Sequence, residues 1–540
     1  MRKHISTKRG IMRMAMMLSL VMVSITVSWA QSAINDIPKE INANDATITN
    51  MGHATLTVAM KIETDPITKA VDTARMVTSI EWNTEPGTAK RRMANRDGND
   101  PQGSDFYDGD NSWWYDMYWF SFNYPSINSE GEPLLLSSLA CMPDDDCNYT
   151  NNVIIGCHIT ITSNSQCPTS HNDRGGLASD VGLMMMHAGS GSIHASESNQ
   201  AYYNLVILPD YEGYGITRSH AHPYIYEELT ARQVVDAVRY GIALYKTSSV
   251  TSSIRHPFRS DWRSICLGYS QGGAVALATQ RFIEQNGLTD ELHLSGSVCG
   301  DGPYDPTATL YFYAQQCSNG DPLSMPVVMP LILKGMCDFN PYMKNHDVSD
   351  YLSQHFLNSG ILNWLAAKEK TTDEIEDAWL DYYASTQYVS GGDLNLHLND
   401  VLTPAAYAYI ANLYNSNSSY ANIPLPTHRG VMEDLHFALE SNNLTKGWAP
   451  QHAILLYHSY DDNVVPESNR QSVSDAFGSW VIKLHASFGG LQFDHVGTGI
   501  QYFMGTNETN AVKALGVAPY HQTIQDVNDI RGSFSSSDLD

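Results

Sequence analysis

Four short β-rich runs lie between residues 152 and 300: NVIIGCHITIT, YYNLVILPDYEGYG, RSICLGYS and LHLSGSVCG. Helical stretches such as EELTARQVVDAVRYGIALYK and AVALATQRFIEQNG lie among them. Strands that alternate with helices pair in parallel through crossover connections, so this alternation predicts an α/β sheet whose reactive groups stand at the carboxyl ends of its strands. Ahead of these runs, WWYDMYWFSFNYPSINSEGEPLLLSSLACMP reads as two strands joined by the turn-rich NSEGEP, a hairpin.

The third run ends in GYSQG, a Gly-x-Ser-x-Gly pattern between the β-like SICLG and the helix-like AVALATQRF. That is the strand–turn–helix setting of a nucleophile elbow, and it makes Ser270 the candidate nucleophile. Gly268 and Gly272 suit such a turn because a Cβ at either position would meet backbone. The competing reading is a small serine in a glycine-rich bend. A serine hydroxyl reacts only when a base takes its proton and an acid holds that base. YHSYDDNVVP supplies the acid, an Asp-Asp turn after an apolar strand, with Asp462 preferred over Asp461. FDHVGTGIQYF places His495 in a glycine-rich loop after the final β run, whereas His485, within WVIKLHASF, reads as a strand residue.

For the oxyanion, the Gln271 N–H at the start of the new helix is one donor, and the loop beginning CHITITSNSQCPTS supplies the second, with Thr160 as its candidate. His158 stands there where a His-Gly pair often stands, with Ile159 in the glycine position. LPDYEGYG is read as a structural bend set by Gly213 and Gly215, with Asp210 bonded to backbone rather than catalytic. His187, His194, His220 and His222 lack the tight spacing and the carboxylate partner of a metal set, so no metal is expected.

The alternation stops for about 136 residues, Tyr311 to Lys446, which are rich in aromatics and helical pattern, and resumes at HAILLYHSYDDNVVP and WVIKLH. A helical cap inserted between two sheet strands explains this better than a separate domain. Residues 1–30 read as a signal peptide, with a basic start, the apolar MMLSLVMVSITV and a cleavage signal at Ser28-Trp29-Ala30. Residues 31–111 form an N-terminal extension in which LTVAMKIET alternates like a strand. The remainder divides into a first core part (112–310), the cap (311–446), a second core part (447–525) and a polar disordered tail (526–540).

Removing the leader's five basic residues leaves 27 Lys and Arg against 58 Asp and Glu, a formal charge of −31. That field repels nucleic acid and anionic membranes and admits a small or medium neutral substrate. No later stretch is long and apolar enough to span a membrane, so the mature chain is expected to be exported, periplasmic or secreted. Eight cysteines follow the leader; Cys141 and Cys147 flank the smallest loop a disulfide would close, and Cys266 reads as a buried thiol.

Taken together, GYSQGG, VILPDYEGYG, WAPQHAILLYHSYDDNVVPESN and HVGTG resemble the α/β-hydrolase superfamily over about residues 112–520. More narrowly they resemble secreted lipase/esterases of the secretory-lipase type and exported Bacteroidetes-like hydrolases. The resemblance implies a mostly parallel sheet flanked by helices, with the cap between the strand-6 and strand-7 regions. It also implies cleavage of carboxylic esters through an acyl-enzyme, without cofactor, by Ser270, Asp462 and His495. The family pattern sets the acid four residues before a proline, which selects Asp462. The alternatives are a prolyl-oligopeptidase-like peptidase on the same fold, with Glu212 or Glu227 and Glu228 holding an amino terminus, and a feruloyl or acetyl esterase acting on plant polysaccharide. A binding protein without activity is a third alternative, disfavoured by the intact Ser/Asp/His set.

Overall fold

The computed structural model describes residues 33–64, 71–83, 112–144, 149–170, 179–185, 188, 204–386, 396–459 and 462–486. Ten strands form one sheet: β1 (Thr47–Thr64), β2 (Val71–Asn83), β3 (Ser112–Ile127), β4 (Pro133–Pro143), β5 (Thr150–Cys157), β6 (Asn204–Pro209), β7 (Phe258–Tyr269), β8 (Leu294–Gly300), β9 (Ala453–Ser459) and β10 (Val481–Ala486). Their spatial order is β10-β9-β8-β7-β5-β6-β4-β3-β1-β2. From β6 through β5, β7, β8 and β9 to β10 every pairing is parallel, while β4, β3, β1 and β2 pair antiparallel.

The parallel part is buried on both faces, which is why its strands read as continuous apolar runs rather than alternating ones. Val153, Ile155 and Cys157 of β5, Leu205 and Ile207 of β6, and Ile454 and Leu456 of β9 share one core with two long helices. These are α1 (Glu227–Thr247) and α2 (Gln271–Gln285). The NVIIGCHITIT run is shorter as a strand than it reads: β5 stops at Cys157, and His158 to Thr162 leave the sheet as a loop.

The segment read as an N-terminal extension is part of the sheet. β1 pairs with β3 from Thr47↔Asn123 to Ala59↔Ser112, carrying the expected LTVAMKIET strand with it. The residues ahead of β1 are held by α1, whose buried Arg232 donates through Nη1 to the carbonyls of Ile34 at 2.8 Å and Asp36 at 3.0 Å. Its charge is met inside the same helix by Asp236 at 2.8 Å.

Between β8 and β9 the described residues are mostly helical. The longer segments are α3 (Pro306–Asn319), α4 (Val328–Phe339), α5 (Thr372–Ser385), α6 (Pro404–Ser416) and α7 (Val431–Ser441), and after β9 comes α8 (Ser468–Phe477). These helices build a second core of their own around Leu333, Phe356, Trp379, Tyr383, Ile410 and Leu439, joined by Tyr224 and Ile225 from the sheet side. Asp305, between β8 and α3, ties α3 to α8. Its Oδ1 caps α3 through the Thr307 and Ala308 N–H groups and accepts from Asn443 Nδ2 at 2.9 Å, while its Oδ2 accepts from Ser472 Oγ of α8 at 2.5 Å.

The seven described cysteines carry free thiols. Cys141, expected as one end of a small disulfide loop, is a buried residue of β4 opposite Trp119; Cys147 lies outside the described residues. Cys266 is the buried thiol expected of it. The signal peptide (1–30) and the tail (526–540) lie outside the described residues. Among the described residues no helix is long and apolar enough to cross a membrane.

Asp305→Ala removes an N-cap, worth about 0.5–2 kcal/mol, and strands buried donors at about 1–3 kcal/mol. The variant should lose about 2–4 kcal/mol of unfolding free energy in urea, and a loss under about 1 kcal/mol would show that the helical insert is held elsewhere.

Candidate active site

Ser270 stands between the end of β7 and the first residue of α2 with φ 55° and ψ −125°. A non-glycine residue there costs about 1–3 kcal/mol and persists only where its surroundings dictate it. The surroundings do. Its N–H donates to Gly300 O at 2.8 Å, and its carbonyl accepts the Gly273 N–H at 2.9 Å. A Cβ on Gly268 would lie 2.1 Å from the Gly272 carbonyl oxygen, and one on Gly272 only 2.0 Å from the Cys157 oxygen. The glycines of GYSQG are therefore the price of bringing the end of β5, the end of β7 and the first turn of α2 into backbone contact. Of six non-glycine residues at positive φ among the described residues, Tyr211, Ile225, Ser270 and Asp301 stand at strand ends or cavity walls around this point.

Gln271, the first residue of α2, is buried, and its Nε2 lies 2.8 Å from His222 Nε2. His222 Nδ1 lies 2.8 Å from the Glu212 carbonyl oxygen, which only accepts. The Nδ1–H tautomer follows, leaving Nε2 to accept from the Gln271 amide. Burial pushes His222 down to about 3 and His158 down to about 4, so both rings are neutral at neutral pH. The Tyr211 ring stacks on His158 at 4.0 Å and lies nearly coplanar-stacked with His222 at 6.2 Å. Thr160, in the loop after β5, is buried, and its Oγ1 bonds the Tyr224 hydroxyl at 2.8 Å.

The LPDYEGYG bend organises that same loop. Asp210 accepts the Thr169 N–H at 2.8 Å and its hydroxyl at 2.5 Å, and the Ser137 hydroxyl at 2.5 Å. Its partners are thus mainly hydroxyls rather than backbone, and burial raises its carboxyl to about 6. Gly215 N–H donates to Asn164 Oδ1 at 2.8 Å, and the Tyr214 hydroxyl bonds the Ile161 carbonyl.

Asp462 follows β9, and its Oδ1 accepts the N–H groups of Val464 and Val465, each at 2.8 Å, the Asx turn that opens VVP. Beside it stand Asp301, just past β8, and His458, all three offering ligand atoms within 4.8 Å of one another. By donor type the trio suits a metal, but its atoms are committed to one another. His458 Nδ1 bonds Asp301 Oδ1 at 2.8 Å and its Nε2 faces Glu467 at 3.2 Å. Asp301 also accepts the Tyr269 hydroxyl at 2.5 Å, the Ser459 N–H at 2.9 Å and the Ser459 hydroxyl. Burial alone would lower His458, yet Asp301, Asp462 and Glu467 together raise it. The cluster is an ion-paired strut between the ends of β7, β8 and β9. His485 lies in β10, in register with His458, as a strand residue. His495 and Asp461 lie outside the described residues.

Ser270 and Gln271 open into a cavity of about 690 Å³, counting the space at its mouth. Its walls come from α3 (Leu310, Tyr313), α4 (Met329, Leu333), α6 (Ile410) and α7 (Leu435, Leu439), closed on one side by Val464 and Val465 next to Asp462. No charged side chain lines it among the described residues. Glu212 is instead bonded to Gln233 at 2.8 Å, and Glu227 and Glu228 line a separate, smaller cavity.

Sequence reasoning missed Asp301, His222 and Tyr224. The Asp301 signal was available, an acid directly after a buried strand in VCGDGP; the two aromatics carry no spacing that separates them from other ring-rich loops.

A ring that stays neutral when folded refuses protons that the unfolded chain takes up below pH 6.5, so its contribution to stability falls as pH falls. Asp210 at about 6 and Glu227 at about 8, both raised by burial, act in the opposite sense. The comparison with His222→Gln isolates one ring. From pH 6 to pH 4 the wild-type stability advantage over the variant should decline by about 1.4 kcal/mol per pH unit. A difference flat in pH, measured by urea denaturation, would mean that His222 is charged in the folded protein.

No family model and no curated protein sequence matches the chain. Solved structures do. A mutant of the rice cell wall degrading esterase LipA from Xanthomonas oryzae is 19% identical with a TM-score of 0.52, covering 74% of this chain and 90% of that one. A putative hydrolase from Legionella pneumophila is 17% identical with a TM-score of 0.53, covering 76% and 91%. Identities this low speak for architecture alone, and with the strand order, the elbow after β7 and the flanking helices they show that the chain is built on the α/β-hydrolase fold.

Proposed function

We propose that the protein is an exported serine hydrolase that cleaves carboxylic esters, with an apolar acyl group held in the cavity beside Ser270. The observation that carries this reading is the strained serine opening directly into an uncharged cavity. In this reading Ser270 Oγ attacks the ester carbonyl while His495 takes its proton. Asp462 holds the imidazolium, and the Gln271 N–H, with a second donor from the Thr160 loop, binds the oxyanion. The carbonyl re-forms, the alkoxide leaves with the proton from His495, and water repeats the sequence on the acyl-enzyme to release the acid. The helical insert acts as the cap that shapes the acyl pocket. No cofactor enters any step.

An apolar wall supports acyl chains over charged head groups, because burying an unpaired charge there would go uncompensated. The peptidase reading needs a carboxylate to hold an amino terminus. Glu212, Glu227 and Glu228, its candidates, are not among the described residues that line the cavity. The likeness to a rice cell wall degrading esterase keeps aryl and acetyl esters of plant polysaccharide among the substrates to test.

Purified protein should hydrolyse p-nitrophenyl butyrate, and Ser270→Ala should lower kcat by at least about 10³-fold with the fold intact by circular dichroism. Unchanged turnover in that variant, or cleavage of aminoacyl-proline amides without any ester, would overturn the reading. Ile332→Trp, which fills the cavity from its half-buried wall, should lower octanoate relative to acetate hydrolysis by about 10-fold or more, equivalent to losing one or two methylene sites.

A further inference from the structure

The HPY segment after the LPDYEGYG bend has no part in the chemistry described so far, yet it touches both sides of the oxyanion site. His222 bonds the side chain of Gln271, and Tyr224, two residues on, bonds Thr160 and lines the cavity. We propose that His222 is a positioning residue of the oxyanion hole: it holds the Gln271 side chain so that the Gln271 backbone N–H points at the developing oxyanion. This rests on the ester-hydrolase reading above.

Gln271 is the residue directly after the strained Ser270, and as the first helical residue it has an N–H with no partner within the helix. The direction of that N–H is set by the dihedral angles on either side of it. On the serine side those angles are fixed by the Gly300 and Gly273 hydrogen bonds. On the glutamine side the only anchor outside α2 that the described hydrogen bonds provide for the side chain is His222 Nε2. The anchor is itself rigid: Nδ1–H is committed to the Glu212 carbonyl, and the ring is held against Tyr211 at 6.2 Å and Tyr214 at 5.0 Å. Tyr211 in turn stacks on His158, in the loop expected to bring the second donor. A rigid ring thus links the bend after β6 to both halves of the hole. His158 does not compete for Nε2, since its nitrogens lie against the Ile159 and Asp210 carbonyls and its single N–H serves one of them.

The role predicts which substitutions rescue. A glutamine in place of His222 keeps an acceptor near the Nε2 position and can still receive the Gln271 amide proton. An asparagine keeps only the donor near Nδ1, and so preserves the bond to the Glu212 carbonyl and the order of the bend. A purely structural role for His222 is therefore served best by asparagine, and a positioning role by glutamine. Because a misplaced group costs far more in the transition state than in the ground state, the loss belongs in kcat rather than KM.

On p-nitrophenyl butyrate, His222→Asn should lower kcat by about 10- to 100-fold with KM within about twofold, and His222→Gln should restore all but about threefold. Gln271→Met, which keeps the backbone N–H and removes the side-chain donor, should match His222→Asn, and the double variant should be no worse than either single one. Thermal melts of all four establish that each is folded. Equal losses in His222→Asn and His222→Gln, a wild-type kcat in His222→Asn, or additive losses in the double variant would each overturn the proposal. If the wild-type protein cleaves no ester, or cleaves it undiminished after Ser270→Ala, the failure belongs to the ester-hydrolase reading and not to His222.

Discussion

The contact on which this structure turns is the backbone-to-backbone approach of α2 to the ends of β5 and β7. It exists because residues 268 and 272 have no Cβ: with one, each would sit about 2 Å from a neighbouring carbonyl oxygen. Closing that gap forces the connecting residue into a left-handed region with its side chain turned outward, and a serine occupies it. The conformational cost of about 1–3 kcal/mol falls on one residue, while the hydrogen bonds that offset it spread over Gly300, Gly273 and Ala274. The same approach brings the loop at 158–160 beside the first N–H groups of the helix. The strained Ser270 and the approach of that loop to the start of the helix are thus consequences of one packing event rather than separate features.

Around that contact three buried or half-buried carboxylates are paired along the carboxyl edge of the sheet. After β6, Asp210 gathers Ser137 and Thr169; after β8, Asp301 gathers Tyr269, Ser459 and His458; after β9, Asp462 gathers two backbone N–H groups. Asp210 and Asp301 tie a strand end to neighbouring elements, whereas Asp462 sets the turn after β9. Such networks are costly when half satisfied and rigid when complete, so they hold the strand ends around Ser270 in place.

Much of this was legible in the sequence, and the residues show why. The parallel strands announced themselves as short apolar runs between helices, and Ser270 as the residue between two turn-forming glycines, because in both cases local sterics decide. The β1 strand was legible from its period-two pattern, but its partner was not: pairing with β3 joins residues 53 to 76 positions apart, from Ala59↔Ser112 to Thr47↔Asn123, and alternation says nothing about where an edge goes. The end of β5 was overrun for a related reason, since HITIT has high strand propensity and leaves the sheet only because its side chains are claimed by Tyr224, Tyr211 and the insert at Lys370. The disulfide expectation for Cys141 rested on loop length; Cys141 is a buried residue of β4, and Cys147 lies outside the described residues. His495 and the chain around it lie outside the described residues, so the base stands on sequence order alone.

The helical insert carries the remaining step. It has its own core, yet it is not independent of the sheet, because Tyr224 and Ile225 belong to that core and Asp305 caps α3 while bonding Ser472 of α8. A second tie, Lys368, is buried at the left-handed end of a short helix, donates to the Arg218 and His220 carbonyls, and accepts the Asn164 N–H through its own carbonyl at 2.8 Å. Asn164 and Arg218 flank the loops that Asp210 and Gly215 arrange. The insert and the loop after β5 are therefore joined through Lys368 and Tyr224, and a change in the insert that displaces either residue also displaces that loop. Substitution of Tyr224, which lines the cavity and bonds Thr160, therefore acts on the cavity wall and on the loop after β5 at once.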